Sequence, residues 1–337
     1  MTASLSSSTS QKRQGEASVE VEGLRKSFGK FEALKGIDLR VAPGTVLGLL
    51  GPNGAGKMTT VRCLTTLARP TGGVARVAGY DVIRESARVR ASIALAGQHA
   101  AVDGVLTGRE NLVLIGRLLG LGRRAAHDRA AELLERFDLG DAADRRAATY
   151  SGGMRRRLDL AVSLTSRPRV LFFDEPTTGL DPRSRLVVWD MIRQLRVDGL
   201  TIVLTTQYLD EADELADELA DTIVLIDDGR VIAEGTPAEL KQRVGTAVCR
   251  VELADPKQTE AAASSLSELA DRTGGELTVD PERGTMSLPA IDGLQTLAEV
   301  TNELRRAGVD VVDVRLRRPS LDEVFLALTG RHGEEQS

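Results

Sequence analysis

Short apolar runs alternate with helical patterns along the chain from residue 19 to about residue 245. The runs at 45–50, 170–173 and 201–205 are continuous and rich in residues that favour strands. Strands that are buried on both faces of a sheet have this composition, because neither face meets water. The pattern therefore predicts an α/β domain over residues 19–245 with a mainly parallel core sheet.

The pattern changes between about residues 100 and 165, where Leu, Ala and Arg recur at helical spacing in place of the strand-like runs. We interpret this stretch as a helical subdomain inserted into the α/β core. Thr107 followed by Glu110 has the pattern of a capping box, in which each side chain bonds the other residue's backbone N–H. One helix of the subdomain should therefore begin at Thr107.

A second change comes at residue 246, after which strand and helix patterns follow in the order β-α-β-β-α-β. This order predicts a small α+β domain with ferredoxin-like topology at 246–330, followed by a short tail at 331–337. A last helix should begin at the capping box of Ser320 and Glu323. The polar residues 1–18 are predicted to be a disordered tail. The predicted strands are 246–253, 276–279, 285–288 and 309–316, and the predicted helices are 256–272 and 294–307.

Composition places the 337-residue chain among ordinary globular proteins, since 42% of its residues are hydrophobic and 28% are charged. No apolar run approaches the roughly 18 residues that a membrane-spanning helix needs, so a membrane role should come through a partner. The formal net charge of −5 argues against a nucleic-acid surface, and we expect no nucleic-acid partner.

The most informative local signal is a glycine-rich turn between the apolar run at 46–50 and a helical pattern at 59–67. Glycines let backbone N–H groups converge on a polyphosphate, and the dipole of the following helix adds to the attraction. A lysine in the turn supplies a point charge for the β- and γ-phosphates. We therefore predict a nucleotide site in this strand, turn and helix. Its residues are Gly51, Pro52, Asn53, Gly54, Ala55, Gly56, Lys57, Met58, Thr59 and Thr60.

Met58 departs from the rule for such turns, which place Ser or Thr after the lysine so that a hydroxyl binds Mg²⁺. A thioether is a soft, weak ligand, whereas Mg²⁺ demands hard oxygen in octahedral geometry. Water and Thr59 are the two candidates to replace the hydroxyl. We expect Met58 to weaken Mg²⁺ binding and slow hydrolysis, while nucleotide still binds through the backbone and Lys57.

Two acids, Asp174 and Glu175, end the apolar run at 170–173. A buried strand with paired carboxylates at its carboxyl end is the Walker B arrangement. We expect Asp174 to hold Mg²⁺, directly or through water. Glu175 is well placed to polarise the attacking water as a general base.

A second candidate anion site lies between these motifs, where Ser151, Gly152 and Gly153 begin an amphipathic helix. Ser151 is a good N-cap, and the two glycines expose backbone N–H groups at the start of the helix. One nucleotide needs only one such cradle in its own chain. The second site should therefore serve a nucleotide held by another copy, which predicts a head-to-tail homodimer with the nucleotide between two subunits.

The order of these motifs resembles that of the ABC transporter nucleotide-binding domain over residues 19–245. The motifs that carry the resemblance are the glycine-rich turn, Gln98, the Ser-Gly-Gly run, the paired acids, and Asp181 within Gly-Leu-Asp-Pro. The resemblance implies a P-loop NTPase core with N-terminal antiparallel strands and an inserted helical subdomain. It also implies that the chain hydrolyses ATP with Mg²⁺ as cofactor.

The same resemblance implies roles for individual positions. Phe28 would stack on the adenine ring. Gln98 would sense Mg²⁺ and the attacking water and would link the site to a permease. The Ser151 motif would contact the γ-phosphate across the dimer, and Asp181 would couple the two sites.

Two further positions depart from the family pattern. Tyr150 and Met154 flank the Ser-Gly-Gly run where most members have Leu and Gln, but the centre is intact and function should survive. Gln207 occupies the position of the switch histidine. Its amide can donate a hydrogen bond to the γ-phosphate but takes no proton near neutral pH. A mechanism that needs a titrating imidazole is therefore not expected, and Glu175 remains the expected base.

The segments at 150–159, 205–209 and 319–325 resemble the daunorubicin-resistance type of ATP-binding subunit. This resemblance implies export of a hydrophobic drug or antibiotic through a separate membrane permease. The chain would then lie at the cytoplasmic face of the membrane, attached through that permease.

Two alternative functions are open at this point. A nucleic-acid-associated ABC ATPase usually carries two cassettes in one chain or a long coiled coil, and this sequence has one cassette and no sustained heptads. Met58 suggests the other alternative, an ATP-binding switch that closes on ATP with impaired hydrolysis. ATP-driven dimerisation measured separately from phosphate release distinguishes such a switch from a motor.

Overall fold

A computed structural model describes residues 17–97, 102–207, 219–243, 247–272, 277–281, 283–317 and 319–329. The chain forms two compact units, Met1–Pro237 and Ala238–Ser337. None of the helices in the described ranges combines the length and the apolar character that a membrane crossing requires.

The first unit alternates strands and helices. Its strands are β1 (Val19–Phe28), β2 (Phe31–Val41), β3 (Val46–Leu50), β4 (Gly72–Val77), β5 (Tyr80–Asp81), β6 (Ile93–Ala96), β7 (Val170–Asp174), β8 (Thr201–Thr206), β9 (Thr222–Asp227) and β10 (Arg230–Gly235). Its helices are α1 (Lys57–Leu64), α2 (Ser86–Ser92), α3 (Gly108–Leu118), α4 (Arg123–Arg136), α5 (Gly152–Ser163) and α6 (Pro182–Val197). A short helix, α7 (Pro237–Gln242), begins at the proline where the two units meet in sequence.

A six-stranded sheet with the order β10-β9-β3-β8-β7-β6 forms the centre of this unit. All its described pairs are parallel except β9 with β10, so the prediction of a mainly parallel sheet is confirmed. Every residue of β3, β7 and β8 is buried, which explains their uninterrupted apolar runs. In the register of the sheet, Leu50 lies beside Thr206 and Asp174 lies beside Thr205. Three strands therefore end side by side at one edge of the sheet.

An antiparallel sheet with the order β2-β1-β4-β5 packs against the parallel sheet. Leu24 and Ile37 of the antiparallel sheet share one buried cluster with Leu49 and Phe172 of the parallel sheet. Burial of these side chains removes apolar surface from water and holds the β1–β2 hairpin against the core.

Residues 108–163 contain α3, α4 and α5. The capping box that was predicted at Thr107 and Glu110 is confirmed. The Glu110 amide donates to Thr107 Oγ1 at 3.1 Å, and the Thr107 amide donates to Glu110 Oε2 at 2.8 Å. Both amides would otherwise lack an intrahelical partner, so the box defines where α3 begins.

The predicted bounds of α1 are wrong at both ends. The sequence pattern indicates 59–67, whereas the helix spans Lys57–Leu64. Gly56 precedes it at φ 112°, so the helix begins directly at the end of the glycine-rich turn. Thr66 has φ 66°, a left-handed conformation that a continuing helix excludes. Hydrophobic periodicity carries no signal for this backbone reversal.

The second unit contains β11 (Val248–Leu253), α8 (Thr259–Arg272), β12 (Thr278–Asp280), β13 (Thr285–Pro289), α9 (Leu294–Arg306), β14 (Val311–Arg317) and α10 (Leu321–Thr329). Its sheet is antiparallel with the order β12-β13-β11-β14, which confirms the predicted ferredoxin-like topology. Residues of α8 and α9 complete the core over this sheet, among them Leu266 and Val300. The capping box of Ser320 and Glu323 is also confirmed, with bonds of 3.0 and 3.2 Å.

Candidate nucleotide-binding site

The glycine-rich turn between β3 and α1 is packed too tightly for side chains at two of its positions. Gly51 has φ 150°, and a Cβ built on it would lie 2.0 Å from the carbonyl oxygen of Ile226. Gly56 has φ 112°, and a Cβ there would lie 2.9 Å from Leu34 Cδ2. Glycine is therefore required both for the left-handed backbone and for the close approach of β9 and β2.

Lys57 lies inside this turn and is only 6% exposed. Its Nζ donates to the carbonyl oxygens of Gly51, at 2.5 Å, and Pro52, at 2.9 Å. Burial lowers the pKa of Lys57, and the negative charges of Glu175 and Asp174 act in the opposite direction. The turn, the lysine and the two acids therefore form one electrostatic unit.

Asp174 is the last residue of β7 and is 6% exposed. The hydroxyl of Thr205, on the neighbouring strand β8, donates to Asp174 Oδ1 at 2.8 Å. Burial raises the pKa of Asp174, and the Thr205 hydrogen bond lowers it. A hydroxyl from the neighbouring strand thus supports the ionised form of a carboxylate that burial disfavours.

Glu175 follows with φ 45°, a left-handed conformation that is rare for a side chain of this size. Its amide donates to the carbonyl oxygen of Thr205 at 3.2 Å and to Thr205 Oγ1 at 3.1 Å. The hydroxyl of Thr178 donates to Glu175 Oε2 at 3.1 Å. These three hydrogen bonds hold the left-handed turn at Glu175 in place.

Thr205 was not identified from the sequence as a site residue, although it touches both acids. Two adjacent parallel strands that end together place Asp174 and Thr205 side by side. The signal for Thr205 is therefore the register of β7 with β8. Hydrophobic pattern alone does not define which residues of two strands are neighbours.

A cavity of about 300 Å³ joins several of the predicted site residues, which is within the size range of small-ligand sites. It brings together an aromatic pair from the β1–β2 hairpin, the glycine-rich turn and both acids. The lining residues are Phe28, Phe31, Ala33, Asn53, Gly54, Gly56, Lys57, Met58, Thr59, Asp174 and Glu175.

The aromatic pair consists of Phe28, which was predicted, and Phe31, which was not. Their side chains face the cavity from the two sides of a tight turn and are 52% and 64% exposed. Lys26 Nζ lies 4.7 Å from the centre of the Phe28 ring, within range of a cation–π interaction. An aromatic residue three positions after Phe28, across a two-residue turn, was the available signal for Phe31.

The remaining predicted residues of the turn do not line this cavity. Ala55 is buried, and Thr60 is fully buried with its hydroxyl donated to the carbonyl oxygen of Gly56 at 3.0 Å. Gln207 directly follows β8 and is half-buried, while Gln98 lies outside the described residues.

Ser151 and Asp181 belong to a second cluster that does not line the cavity. Ser151 caps α5, accepting from the amide of Met154 at 3.3 Å, and Gly152 and Gly153 form the first turn. Asp181 caps α6, accepting from the amide of Ser184 at 3.0 Å and from its hydroxyl at 2.5 Å. A Cβ on Gly153 would lie 3.9 Å from Ser184 Oγ, so the starts of α5 and α6 are neighbours.

Comparison with known proteins identifies the family. The sequence profile of the ABC transporter family matches residues 34–178, and that of the C-terminal domain of DrrA1-3-like ATP-binding proteins matches residues 235–329. The chain is 54% identical to the daunorubicin resistance ATP-binding protein DrrA3 of Streptomyces coeruleorubidus, over 94% of this chain and 96% of that protein. It is 51% identical to the doxorubicin resistance ATP-binding protein DrrA of Mycobacterium tuberculosis, over 94% and 95% of the two chains.

The chain belongs to the ABC transporter ATP-binding family. The solved structure of an ATP-binding subunit of an ABC transporter superposes with a TM-score of 0.58 at 27% identity, over 67% of this chain and 92% of that one. As an ABC protein the chain binds ATP and is an ATPase.

Tyr150, which directly precedes the Ser-Gly-Gly run, is held in the core. It is 8% exposed, and its hydroxyl donates to the carbonyl oxygen of Ala142 at 2.7 Å. A Cβ on Gly108 would lie 2.3 Å from the Tyr150 hydroxyl oxygen, so glycine at the start of α3 makes room for the ring. Burial raises the pKa of this phenol. Tyr150 therefore positions Ser151 through packing.

The side chains at the candidate Mg²⁺ position match the ion only in part. Asp174 offers a hard carboxylate oxygen, whereas Met58, which is 40% exposed in the same cavity, offers a thioether. No group of three or more His, Cys, Asp or Glu side chains in the described ranges is arranged to hold a metal ion. Met58 therefore lacks the hard donor atom that such turns supply at this position, whereas Asp174 keeps one.

Substitution of Gly51 by Ala should abolish nucleotide binding and destabilise the fold. The Cβ would meet the Ile226 carbonyl at 2.0 Å, so we expect a loss of about 3 kcal/mol or more in the free energy of unfolding. Gly79→Ala is the matched control, since Gly79 has φ 83° with nothing within 4 Å of its Cβ. Urea unfolding should give about 1–2 kcal/mol for this backbone strain alone, with ATP affinity unchanged. Equal losses in the two variants would contradict a steric requirement at Gly51.

Substitution of Thr205 by Val should shift the acid limb of the ATPase pH profile to higher pH. The Thr205 hydrogen bond lowers the pKa of Asp174, so its removal lets burial raise that pKa further. Asp174 would then be protonated at a pH where the parent carboxylate is charged. The measurement is kcat/KM against pH, with Thr165→Val as the control, because the Thr165 hydroxyl donates to the carbonyl oxygen of Ala161 in α5. An unchanged acid limb would exclude this role of Thr205.

Proposed function

We propose that the chain is the ATP-driven motor subunit of a drug exporter, in which two copies close on shared ATP and move a separate membrane permease. The observation that carries the proposal is the presence of two separate glycine-rich helix starts in one cassette. One lines the cavity with Lys57 and the acids, whereas the other lies at the starts of α5 and α6. Two sites for one nucleotide make sense if each copy supplies half of a shared site.

In the proposed site, the turn at 51–57 and Lys57 bind the phosphates through N–H groups and one positive charge. Phe28 and Phe31 would hold the adenine ring between the hairpin and the turn. Glu175 would orient and deprotonate the attacking water, which its turn at φ 45° supports. Gln207 and Gln98 would contact the γ-phosphate and the water.

The second cluster would bind the γ-phosphate of ATP held by the partner copy. Ser151 and Gly152 are exposed at the start of α5, where N–H groups and the helix dipole attract anions. Asp181, at the start of α6 beside Gly153, would couple the two nucleotide sites, so that closure of one affects the other. A homodimer with two identical shared sites follows from this arrangement.

Contact with the permease would involve α3 and the loop that precedes it. Val105, Leu114 and Leu118 are 72%, 45% and 73% exposed. Exposed apolar side chains in one region favour a protein partner. This region also follows the segment of Gln98 in sequence, so movement of the site would reach the permease by a short route.

The proposed cargo is a hydrophobic drug or antibiotic. The support is the names of the relatives, which are daunorubicin and doxorubicin resistance ATP-binding proteins at 54% and 51% identity over nearly the whole chain. The motor would act at the cytoplasmic face of the membrane, attached through the permease. Cargo choice itself would lie in the permease, which would hold the path of the substrate.

Glu175→Gln should retain ATP binding but lower turnover by about 10²–10⁴-fold, the usual contribution of a general base. Because hydrolysis is blocked, the variant should accumulate as an ATP-bound dimer in size-exclusion chromatography with light scattering. Glu135→Gln, on the exposed surface of α4, should behave as the parent chain. If Glu175→Gln remains monomeric with ATP at high protein concentration, and also with its permease present, the shared site is wrong.

Met58→Thr should raise ATPase turnover at limiting Mg²⁺, because it restores the hydroxyl that the turn lacks. Met58→Leu keeps the size of the side chain without a donor atom and should match the parent. ATP affinity should be measured with Mg²⁺ and with chelator in all three chains. We expect the ratio of the two affinities to increase about tenfold in Met58→Thr only, the value of one good ligand. Equal ratios and equal turnover would exclude an effect of Met58.

Met58 suggests a switch that closes on ATP with little hydrolysis, but the drug-resistance relatives do not favour that alternative. The same experiment separates the two functions. A motor shows phosphate release that follows dimer formation, whereas a switch shows ATP-dependent dimers in the parent chain without comparable phosphate release.

A further inference from the structure

β14 forms an edge of the antiparallel sheet in the second unit. It pairs with β11 on one side, and no described strand pairs with its other side. Val312 is 66% exposed, and the side chains of Asp313 and Arg315 are 43% and 59% exposed. An exposed edge strand of this length offers a row of N–H and C=O groups to another strand.

We propose that β14 pairs with β14 of a second copy of this chain, antiparallel about a two-fold axis at Val314. The sequence of the strand is self-complementary in this register. Val314 lies opposite Val314 of the other copy, and Val312 lies opposite Leu316. On the other face Asp313 lies opposite Arg315, and the symmetry makes this pair occur twice.

Neighbouring registers are less favourable because they bring like charges together. A centre at Asp313 places the two Asp313 carboxylates opposite each other. A centre at Arg315 does the same for the two Arg315 guanidinium groups. Like charges that face each other across a strand pair are destabilising, so Val314 is the centre that the charges select.

The apolar face of the strand gives a second reason for this register. Val314 and Leu316 are partly buried and pack against the core under α8 and α9. Val312 lies on the same face of the strand, since side chains alternate. Pairing about Val314 covers the exposed Val312 with Leu316 of the other copy. The two cores then join into one across a continuous eight-stranded sheet.

Charges on an edge strand can also be protective, because they keep other strands away. Protection and pairing differ in what charge reversal does. Protection depends only on the presence of charge, whereas pairing depends on the order of Asp313 and Arg315. The proposed contact requires no nucleotide, so it is independent of the shared ATP site.

The first test uses the full chain without nucleotide, in sedimentation equilibrium. The parent should form a dimer, and Asp313→Arg and Arg315→Asp should each weaken it by about tenfold or more, since each reversal creates two like-charge pairs. A mixture of the two variants should form a heterodimer, because the two positive charges of one copy then face the two negative charges of the other. The bridge of Asp313 with Arg315 within one strand is broken in both variants, so folding effects do not produce this recovery.

The second test determines the register by cross-linking under mild oxidation. Val314→Cys should form a disulfide-linked dimer, because cross-strand neighbours place their Cβ atoms about 4.5–5.5 Å apart. Val312→Cys should not, because four residues of offset separate the two copies of residue 312. The native thiols interfere little, since Cys63 and Cys249 are buried with their pKa raised to about 11. Val312 is more exposed than Val314, so exposure alone would favour linkage through position 312. Faster linkage of Val314→Cys would therefore report the register and not the exposure.

A nucleotide-free parent that stays monomeric at high concentration overturns the proposal. So does a mixture of the two reversed variants that forms no heterodimer, or cross-linking of Val312→Cys at the rate of Val314→Cys. Because the β14 contact would give a dimer without nucleotide, the ATP dimer of Glu175→Gln is measured in an Asp313→Arg background as the association that ATP adds, and the two proposals then fail separately.

Discussion

The hydrogen bonds of Thr205 are the interaction on which the arrangement of the site depends. One residue of β8 bonds the Asp174 carboxylate through its hydroxyl and the Glu175 amide through both of its oxygens. The strands β3, β7 and β8 end together, so this contact lies beside the end of the strand that leads into the glycine-rich turn. A shift of one residue in the register would turn these side chains to the other face of the sheet.

Burial of charged side chains in this arrangement costs free energy, and this applies to both Lys57 and Asp174. Lys57 and Asp174 are each 6% exposed, and burial disfavours the charged form of both. Their opposite charges compensate each other across the cavity, and Thr205 adds a donor to the carboxylate. The left-handed backbone at Glu175 adds strain, which three hydrogen bonds hold in place. One lysine faces two acids in this site, so attraction for phosphate depends on the backbone N–H groups of the turn and on the start of α1.

The sequence predicts those elements whose positions depend on hydrophobic periodicity or on capping residues. The parallel sheet, the capping box at Thr107 and the β-α-β-β-α-β order of the second unit follow from apolar spacing and capping residues. Thr205 and Phe31 were missed because their importance comes from neighbours across strands, which one-dimensional spacing does not contain. The early end of α1 was missed for a similar reason, since Thr66 turns left-handed where the helical pattern continues. The roles of the site residues remain proposals that rest on where the structure puts them.

Met58 and Gln207 change the site in related ways, although they lie on different elements. Met58 stands where the ABC pattern has a hydroxyl that binds the metal ion, and Gln207 stands where it has a histidine that titrates. A thioether is a weak ligand for Mg²⁺, and an amide takes no proton near neutral pH. The backbone cradle, Lys57 and the two acids are unaffected by these changes, because they depend on glycine conformations and on Thr205. Binding energy for the phosphates should then come mostly from fixed N–H groups and one lysine. In the proposed mechanism, proton transfer therefore depends on Glu175 more than it would beside a titrating switch residue, and Mg²⁺ binding depends on Asp174 because Met58 supplies no hard donor.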